Sequence, residues 1–166
     1  MPLLKIIKIP DPLLNKRSSV IENITPDILK FACDLEETML SNKNCVGLAA
    51  PQASKNIRLI AVDISLHPKN FKNHGRLILI NPVILLKEGN VSGREGCLSV
   101  PDWTGNVARA QNITVSAVDK GGNPVKLDTD GFESVVLQHE IDHLDGILFL
   151  DRVNSIKTDV FRRKHY

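Results

Sequence analysis

The sequence predicts an α+β domain: antiparallel β-sheets surrounding a central buried helix that carries an H-E-x-x-H pattern, with a short helix at the C-terminus. Three observations predict it. Short apolar segments rich in β-branched residues recur between residues 57 and 127, and turn residues separate them. One later stretch, 130–146, spreads Phe132, Val135, Val136, Leu137, Ile141 and Leu144 around most of a helix, which marks a buried helix rather than a surface one. Several strands ahead of one buried helix indicate sheets wrapped around that helix. With 166 residues the chain fits one domain, 1–166, able to bury roughly two-thirds of its unfolded surface.

Taken in order, residues 1–14 hold short apolar runs broken by Pro10 and Pro12, which predicts an extended arm packed along the domain. Thr25-Pro26 is an N-cap and first-turn pair that opens a helix with Ile28, Ala32, Leu35 and Met39 on one face, ending near 41–44. Cys33 falls inside it as a small buried hydrophobe. Small residues fill 45–52 and let a backbone approach a ligand closely. Strands are expected at 57–62 and 77–80. Between them His67 and His74, flanked by Pro68 and Gly75, read as solvated turn residues. Further strands at 83–86 and 113–119 follow, the latter turning through Lys120-Gly121-Gly122-Asn123 into 124–127 as a hairpin. The tail 155–166 reads as a short helix whose basic end, Arg162-Arg163-Lys164-His165-Tyr166, suits a helix C-terminus.

Composition excludes several classes of function. Hydrophobic residues at 42% and charged residues at 24% argue against disorder and against a membrane span. A net charge of +2 gives little steering toward nucleic acid, so no DNA partner is expected. The N-terminus has Lys5 and Lys8 interrupting its apolar residues and no small-residue cleavage site, which argues against a signal peptide. Three cysteines without framework spacing fit a reducing compartment. A cytoplasmic monomer is the expected state.

The chemistry centres on Gln138-His139-Glu140-Ile141-Asp142-His143. Four helical residues advance about 400°, so His139 and His143 project from one face and can bind one metal ion. Glu140 lies beside them, where its carboxylate can act on a bound water as general base. Asp130 followed by Glu133 resembles a capping box, and Gly146 supplies a stop. Metalloproteases with this pattern take a third ligand from downstream, yet no glutamate follows His143 and the only later histidine is His165. The best third ligand lies upstream: Cys97, within Glu95-Gly96-Cys97-Leu98-Ser99, whose thiolate suits a borderline-soft metal.

Three blocks, Val46-Gly47-Leu48-Ala49-Ala50-Pro51-Gln52, Glu95-Gly96-Cys97-Leu98-Ser99 and Gln138-His139-Glu140-Ile141-Asp142-His143, together resemble the motifs of bacterial-type peptide deformylases in order and spacing. Cys45 stands where that family normally has the first glycine of the first block. The resemblance implies an amide hydrolase that removes the formyl group from the N-terminal formylmethionine of newly made proteins. It implies that Gln52, through its side-chain amide, and Leu98, through its backbone N–H, stabilise the oxyanion while Glu140 moves the proton. It implies ferrous iron on Cys97, His139 and His143 as the physiological cofactor. Zinc, nickel or cobalt can replace it, and the ligand set alone selects none of them.

Formyl-Met nascent peptides are then the partners. Val46 and Gly96 could offer backbone groups to an extended peptide, with Gly47 and Glu95 beside them. Val46, Phe132, Val135 and Val136 lie where the family builds its methionine pocket, and Val135 and Val136 read almost as well as plain core. The basic C-terminal cluster offers a transient contact to ribosomal RNA. Two other readings remain: an H-E-x-x-H metallopeptidase, disfavoured by the missing downstream ligand, and a non-catalytic metal-stapled module that holds peptide N-termini, disfavoured by Glu140.

Overall fold

Residues 59–62 explain how the sheet carries a helix on each side. In a strand successive side chains point to opposite faces. Ile60 and Val62 pack with Val136, Leu137, Ile141 and Leu144, while Leu59 and Ala61 pack with Phe31, Ala32, Leu35 and Met39. All four strand residues are therefore buried, and the segment reads as a continuous apolar run. A computed structural model describes residues 3–164.

The element order is helix α1 (Pro26–Ser41), strands β1 (Gly47–Ala49), β2 (Leu59–Val62), β3 (Leu77–Glu88), β4 (Val91–Cys97), β5 (Val100–Arg109), β6 (Asn112–Val118) and β7 (Pro124–Asp130), helices α2 (Gly131–Leu144) and α3 (Ile156–Asp159), and strand β8 (Val160–Arg162). The strands form a five-stranded sheet, β1-β2-β3-β6-β7, and a three-stranded sheet, β4-β5-β8, and every pair of named strands is antiparallel. The expected mixture of helices with antiparallel sheets is what the chain forms.

α1 starts as the sequence indicates. Thr25 Oγ1 accepts from the Ile28 N–H, and Pro26 occupies the first turn. The N-terminal arm is extended from Leu3 onward and ends in a 3-10 turn over Pro12–Asn15. Backbone bonds stitch it to distant segments: the Ile7 N–H donates to the Gln52 carbonyl and the Ile9 N–H to the Ser99 carbonyl.

Several boundaries differ from expectation, each for a local reason. Segments 77–80 and 83–86 are halves of one strand, β3, which passes through Asn81-Pro82 by way of a bulge. Asn81 takes a left-handed φ of 52°, and its side chain closes both Ile21 backbone groups, at 2.9 Å to the N–H and 2.8 Å to the carbonyl. The dipeptide therefore continues the strand instead of breaking it. β4 and β5 escape the sequence pattern, because Gly93, Gly96, Pro101 and Gly105 dilute their β-character.

The tail is one helical turn, α3, and then a strand, β8, that pairs Phe161 with Thr104 and Arg162 with Trp103. The expected short C-terminal helix is thus present as α3, but it ends at Asp159 and the chain goes on as sheet over Val160–Arg162, while His165 and Tyr166 lie outside the described residues. The expected capping box does not form: Asp130 starts α2 without a side-chain cap bond, and the Glu133 carboxylate, instead of reaching back to Asp130, accepts from the Thr129 hydroxyl and the His74 N–H. Gly146 closes the helix at φ 74°. No helix among the described residues is long and apolar enough to cross a membrane.

Candidate active site

α2 is locked in rotation by the residue that precedes its first histidine. Gln138 Nε2 donates to the Ala110 carbonyl at 2.9 Å, Gln138 Oε1 accepts the Ala110 N–H at 3.0 Å, and Ser134 Oγ donates to the same carbonyl at 3.0 Å. With one helix face tied to the β5–β6 connection, His139 and His143 point together, their ring centroids 5.1 Å apart. Cys97, the last residue of β4, meets them from the other sheet, with Sγ 3.3 Å from His143 Nε2.

One ligand atom from each of the three residues lies within 4.8 Å of the others. A sulfur and two imidazole nitrogens at such spacing suit a divalent cation of borderline softness. Burial holds His143 well below the usual histidine range, in the neutral form that a metal binds.

A buried ionic chain stands behind His139. His139 Nδ1 lies 2.8 Å from Glu95 Oε1. Arg109 donates to both Glu95 oxygens at 2.9 Å and to Asp142 Oδ2 at 2.6 Å, and Arg152 closes the series on Asp142 Oδ1 at 2.8 Å. Burial alone would raise the Glu95 pKa, but its bonds to Arg109 and His139 win and hold it at about 2. Burial likewise pushes His139 down, and its bonds to Cys97 and Glu95 overcome that and raise it well above the usual range. The sequence suggests Glu95 as a substrate contact. Both of its oxygens are instead committed to His139 and Arg109, so it orients a histidine.

Glu140 lies beside this cluster. It is 4% exposed, and its Oε2 has no hydrogen-bond partner. Burial raises its pKa to about 7. Gly47 makes room for it, since a Cβ there would stand 2.6 Å from Glu140 Oε1. Gln52 Oε1 accepts the Ala49 N–H at 2.9 Å, which turns Nε2 toward Cys97 Sγ at 3.2 Å and Ser99 Oγ at 3.1 Å. The Leu98 N–H makes no backbone bond among the described residues.

A cavity of about 320 Å³ brings the expected residues together: Val46, Gly47, Gln52, Glu95, Gly96, Cys97, Leu98, Phe132, Val135, Val136, His139 and Glu140 all line it. His143 is 1% exposed and lies beneath. Phe132 is held from outside by Phe71, stacked at 4.9 Å, and by the His67 ring at 5.0 Å. His74 pairs through Nδ1 with the buried Glu133. His67 is therefore a half-buried packing residue rather than a solvated turn residue, while His74 is exposed, as expected, and pairs inward with Glu133 where the 65–75 loop meets the start of α2.

Cys45 causes no backbone strain where the family has glycine, since the left-handed position falls on Asn44, at φ 65°. Its thiol donates to the Gly47 carbonyl, 3.2 Å away, and burial raises its pKa to about 12. It is accordingly a thiol, a poor nucleophile, and a neutral part of the wall.

Sequence reasoning misses Arg109, Arg152 and Ser99, and marks Asp142 only as a buried charge that needs a partner. Asp142 carries a signal, because an aspartate on a buried helix demands a cation. Nothing local points to Arg109, whose partners lie 14 and 33 residues away.

Comparisons with known proteins agree with this geometry. The family model described as polypeptide deformylase matches residues 3–159. The chain is 41% identical to a peptide deformylase of Thermodesulfovibrio yellowstonii, covering 99% of this chain and 97% of that one. It is 43% identical to that of Halothermothrix orenii, covering 94% and 97%. Among solved structures, the peptide deformylase of Ehrlichia chaffeensis in complex with actinonin superposes with a TM-score of 0.87 at 34% identity, covering 95% of this chain and 92% of that one. Three spaced motifs, a Cys-His-His cluster with a carboxylate beside it, and full-length similarity in sequence and fold converge: the chain belongs to the polypeptide deformylase family.

Proposed function

We propose that the whole chain, 1–166, acts as one catalytic domain that hydrolyses the formyl amide of N-terminal formylmethionine in newly made proteins. Its products are formate and a free amine. The observation that carries the reading is the Cys97–His139–His143 cluster with the unpartnered Glu140 Oε2 beside it in one cavity. On this reading the antiparallel sheets exist to surround α2 as the metal-bearing centre.

Cys97, His139 and His143 would hold one divalent cation, ferrous iron physiologically, with zinc, nickel or cobalt able to replace it. When bound, such a cation supplies Lewis acidity that brings a water's pKa from about 15.7 toward 7. Glu140, with its unpartnered Oε2, would take the proton of the water that attacks the formyl carbon. With a pKa near 7 it can return the proton to the amine nitrogen as the C–N bond breaks. Gln52 Nε2 and the Leu98 N–H donate to the oxygen on which negative charge develops. Glu95 holds the His139 ring, and Arg109 holds Glu95.

β1 and β4 are the edge strands of their sheets, and both border the cavity. Backbone groups of Val46, Gly47 and Gly96 can therefore take an extended peptide as an added strand. Val46, Phe132, Val135 and Val136 supply the apolar surface for the methionine side chain. The protein would work in the cytoplasm as a monomer. Its ribosome contact, if RNA is touched, falls to Arg162 and Lys164, both exposed, because Arg163 turns inward against Gly96.

The test is formate release from formyl-Met-Ala peptide by anaerobically prepared, iron- or nickel-loaded protein. The expected result is metal-dependent release, with acetyl-Met-Ala left intact. No release from folded, metal-loaded protein would favour a peptide-holding module. Cleavage of internal peptide bonds would favour a metallopeptidase.

A further inference from the structure

Three cations border the mouth of the active-site cavity: Lys43, Arg94 and Arg163. None of them forms an ion pair among the described residues. The acidic residues lining the same cavity are Glu95 and Glu140. Glu95 is bound to Arg109 and His139, and Glu140 sits at the reacting centre, so neither neutralises the rim.

Arg163 is the most constrained of the three. Its N–H donates to the Asp102 carbonyl at 2.8 Å, and its side chain turns back over β4 into the space that a side chain at Gly96 would need, 2.6 Å from Nη2. Nη2 makes only long bonds, 3.3 Å to the Cys97 carbonyl and 3.4 Å to the Val100 carbonyl. Nε is buried without a partner, and Nη1 has no acceptor among the described residues. A guanidinium carries five donors, so most of this one's capacity is unused. Arg94 lies with its guanidinium carbon 3.7 Å from the Phe161 ring centroid, which fixes its direction. Arg163 also borders the adjoining cavity toward the N-terminal arm, where Lys8 adds a fourth positive charge.

We infer that this rim, with Arg163 at its centre, makes the protein favour formyl-Met peptides that carry a carboxylate side chain at their second or third residue. The inference rests on the deformylase reading above. A peptide that adds to the edge of β4 at Gly96 advances about 3.3 Å per residue, so the residues after methionine pass Arg163 and Arg94. Positive charge without an ion-pair partner among the described residues attracts an anionic side chain there and repels a lysine. Partly exposed pairs of this kind contribute on the order of threefold to tenfold in affinity when two or three cations act together.

The experiment compares kcat and KM of metal-loaded protein on C-terminally amidated formyl-Met-Ala-Ala, formyl-Met-Glu-Ala, formyl-Met-Ala-Glu and formyl-Met-Lys-Ala. Amidation removes the terminal carboxylate as a competing anion. The expected result is a KM on the order of threefold to tenfold lower for a glutamate peptide than for the lysine peptide, with the ratio collapsing at about 1 M salt. In Arg163→Gln, and to a lesser degree in Lys43→Gln, the ratio should fall toward one. Equal KM values, or a preference for lysine, would overturn the inference while deformylation of formyl-Met-Ala-Ala left the underlying reading standing. An acidic preference that survives Arg163→Gln would overturn the role given to Arg163. Failure to deformylate any of the four would overturn the reading itself.

Discussion

At the scale of single residues, the site depends on what is left without a partner and on what makes room. Gln52 is anchored through Oε1, which leaves Nε2 aimed at the Cys97 sulfur. Replacing Gln52 by Leu should lower kcat about 100-fold to 1,000-fold with KM little changed, as removal of one oxyanion donor does; steady-state kinetics on a formyl-Met peptide reads both. Gly47→Ala would place a methyl 2.6 Å from Glu140 Oε1. The expected outcome is loss of turnover with the thermal midpoint nearly kept, because Glu140 must shift while the core stays packed. His139, His143 and Glu140 are legible in the sequence because their spacing on a helix is itself the chemistry, and Cys97 because no third ligand follows them downstream. Gln52 and Leu98 are legible only through the family's motifs, since a glutamine in a small apolar segment and a backbone N–H carry no local signal. Arg109 is not legible at all, because its meaning comes from a fold that brings Glu95 and Asp142 to it.

At the scale of elements, α2 and β3 show where local pattern succeeds and where it stops. The apolar residues of α2 announce a buried helix, and Leu137 is fully buried at its centre. Leu137→Ala should cost about 2–5 kcal/mol in chemical denaturation, the usual range for a large-to-small change in a packed core. Gln138→Leu should leave much of that stability in place yet lower metal affinity, because the bonds to Ala110 that set the helix rotation disappear; metal titration measures it. β3 reads as two strands in the sequence because Asn81-Pro82 looks like a turn, and it continues because Asn81 adopts the left-handed conformation inside the sheet. The basic end of the tail suggests a helix, but Phe161 and Arg162 find free backbone on β5, and pairing outweighs a weak helical preference.

At the scale of the whole molecule, a chain of charges joins the three-stranded sheet to α2: the buried Glu95 on β4, Arg109 on β5 and Asp142 on α2, with the more exposed Arg152 beyond them. Antiparallel pairing is legible from alternation and turns, whereas this chain is not, since it links segments through space alone. Its pH dependence has a definite sign. The folded Glu95 sits at about 2 against an ordinary 4.5, so the stability it contributes is present above about 4.5 and is lost as pH falls toward 2. The difference in unfolding free energy between the wild type and Glu95→Gln should therefore shrink through that window, and denaturant titrations at several pH values would read it. The central claim is that Cys97, His139 and His143 hold a metal for a deformylation in which Glu140 moves the proton. Its most direct test is formate release by wild type and Glu140→Ala at equal, measured metal content. The account predicts release by the wild type and a loss of about 100-fold or more in the variant, with metal still bound. Equal rates in the two proteins, or no release from metal-loaded wild type, would contradict it.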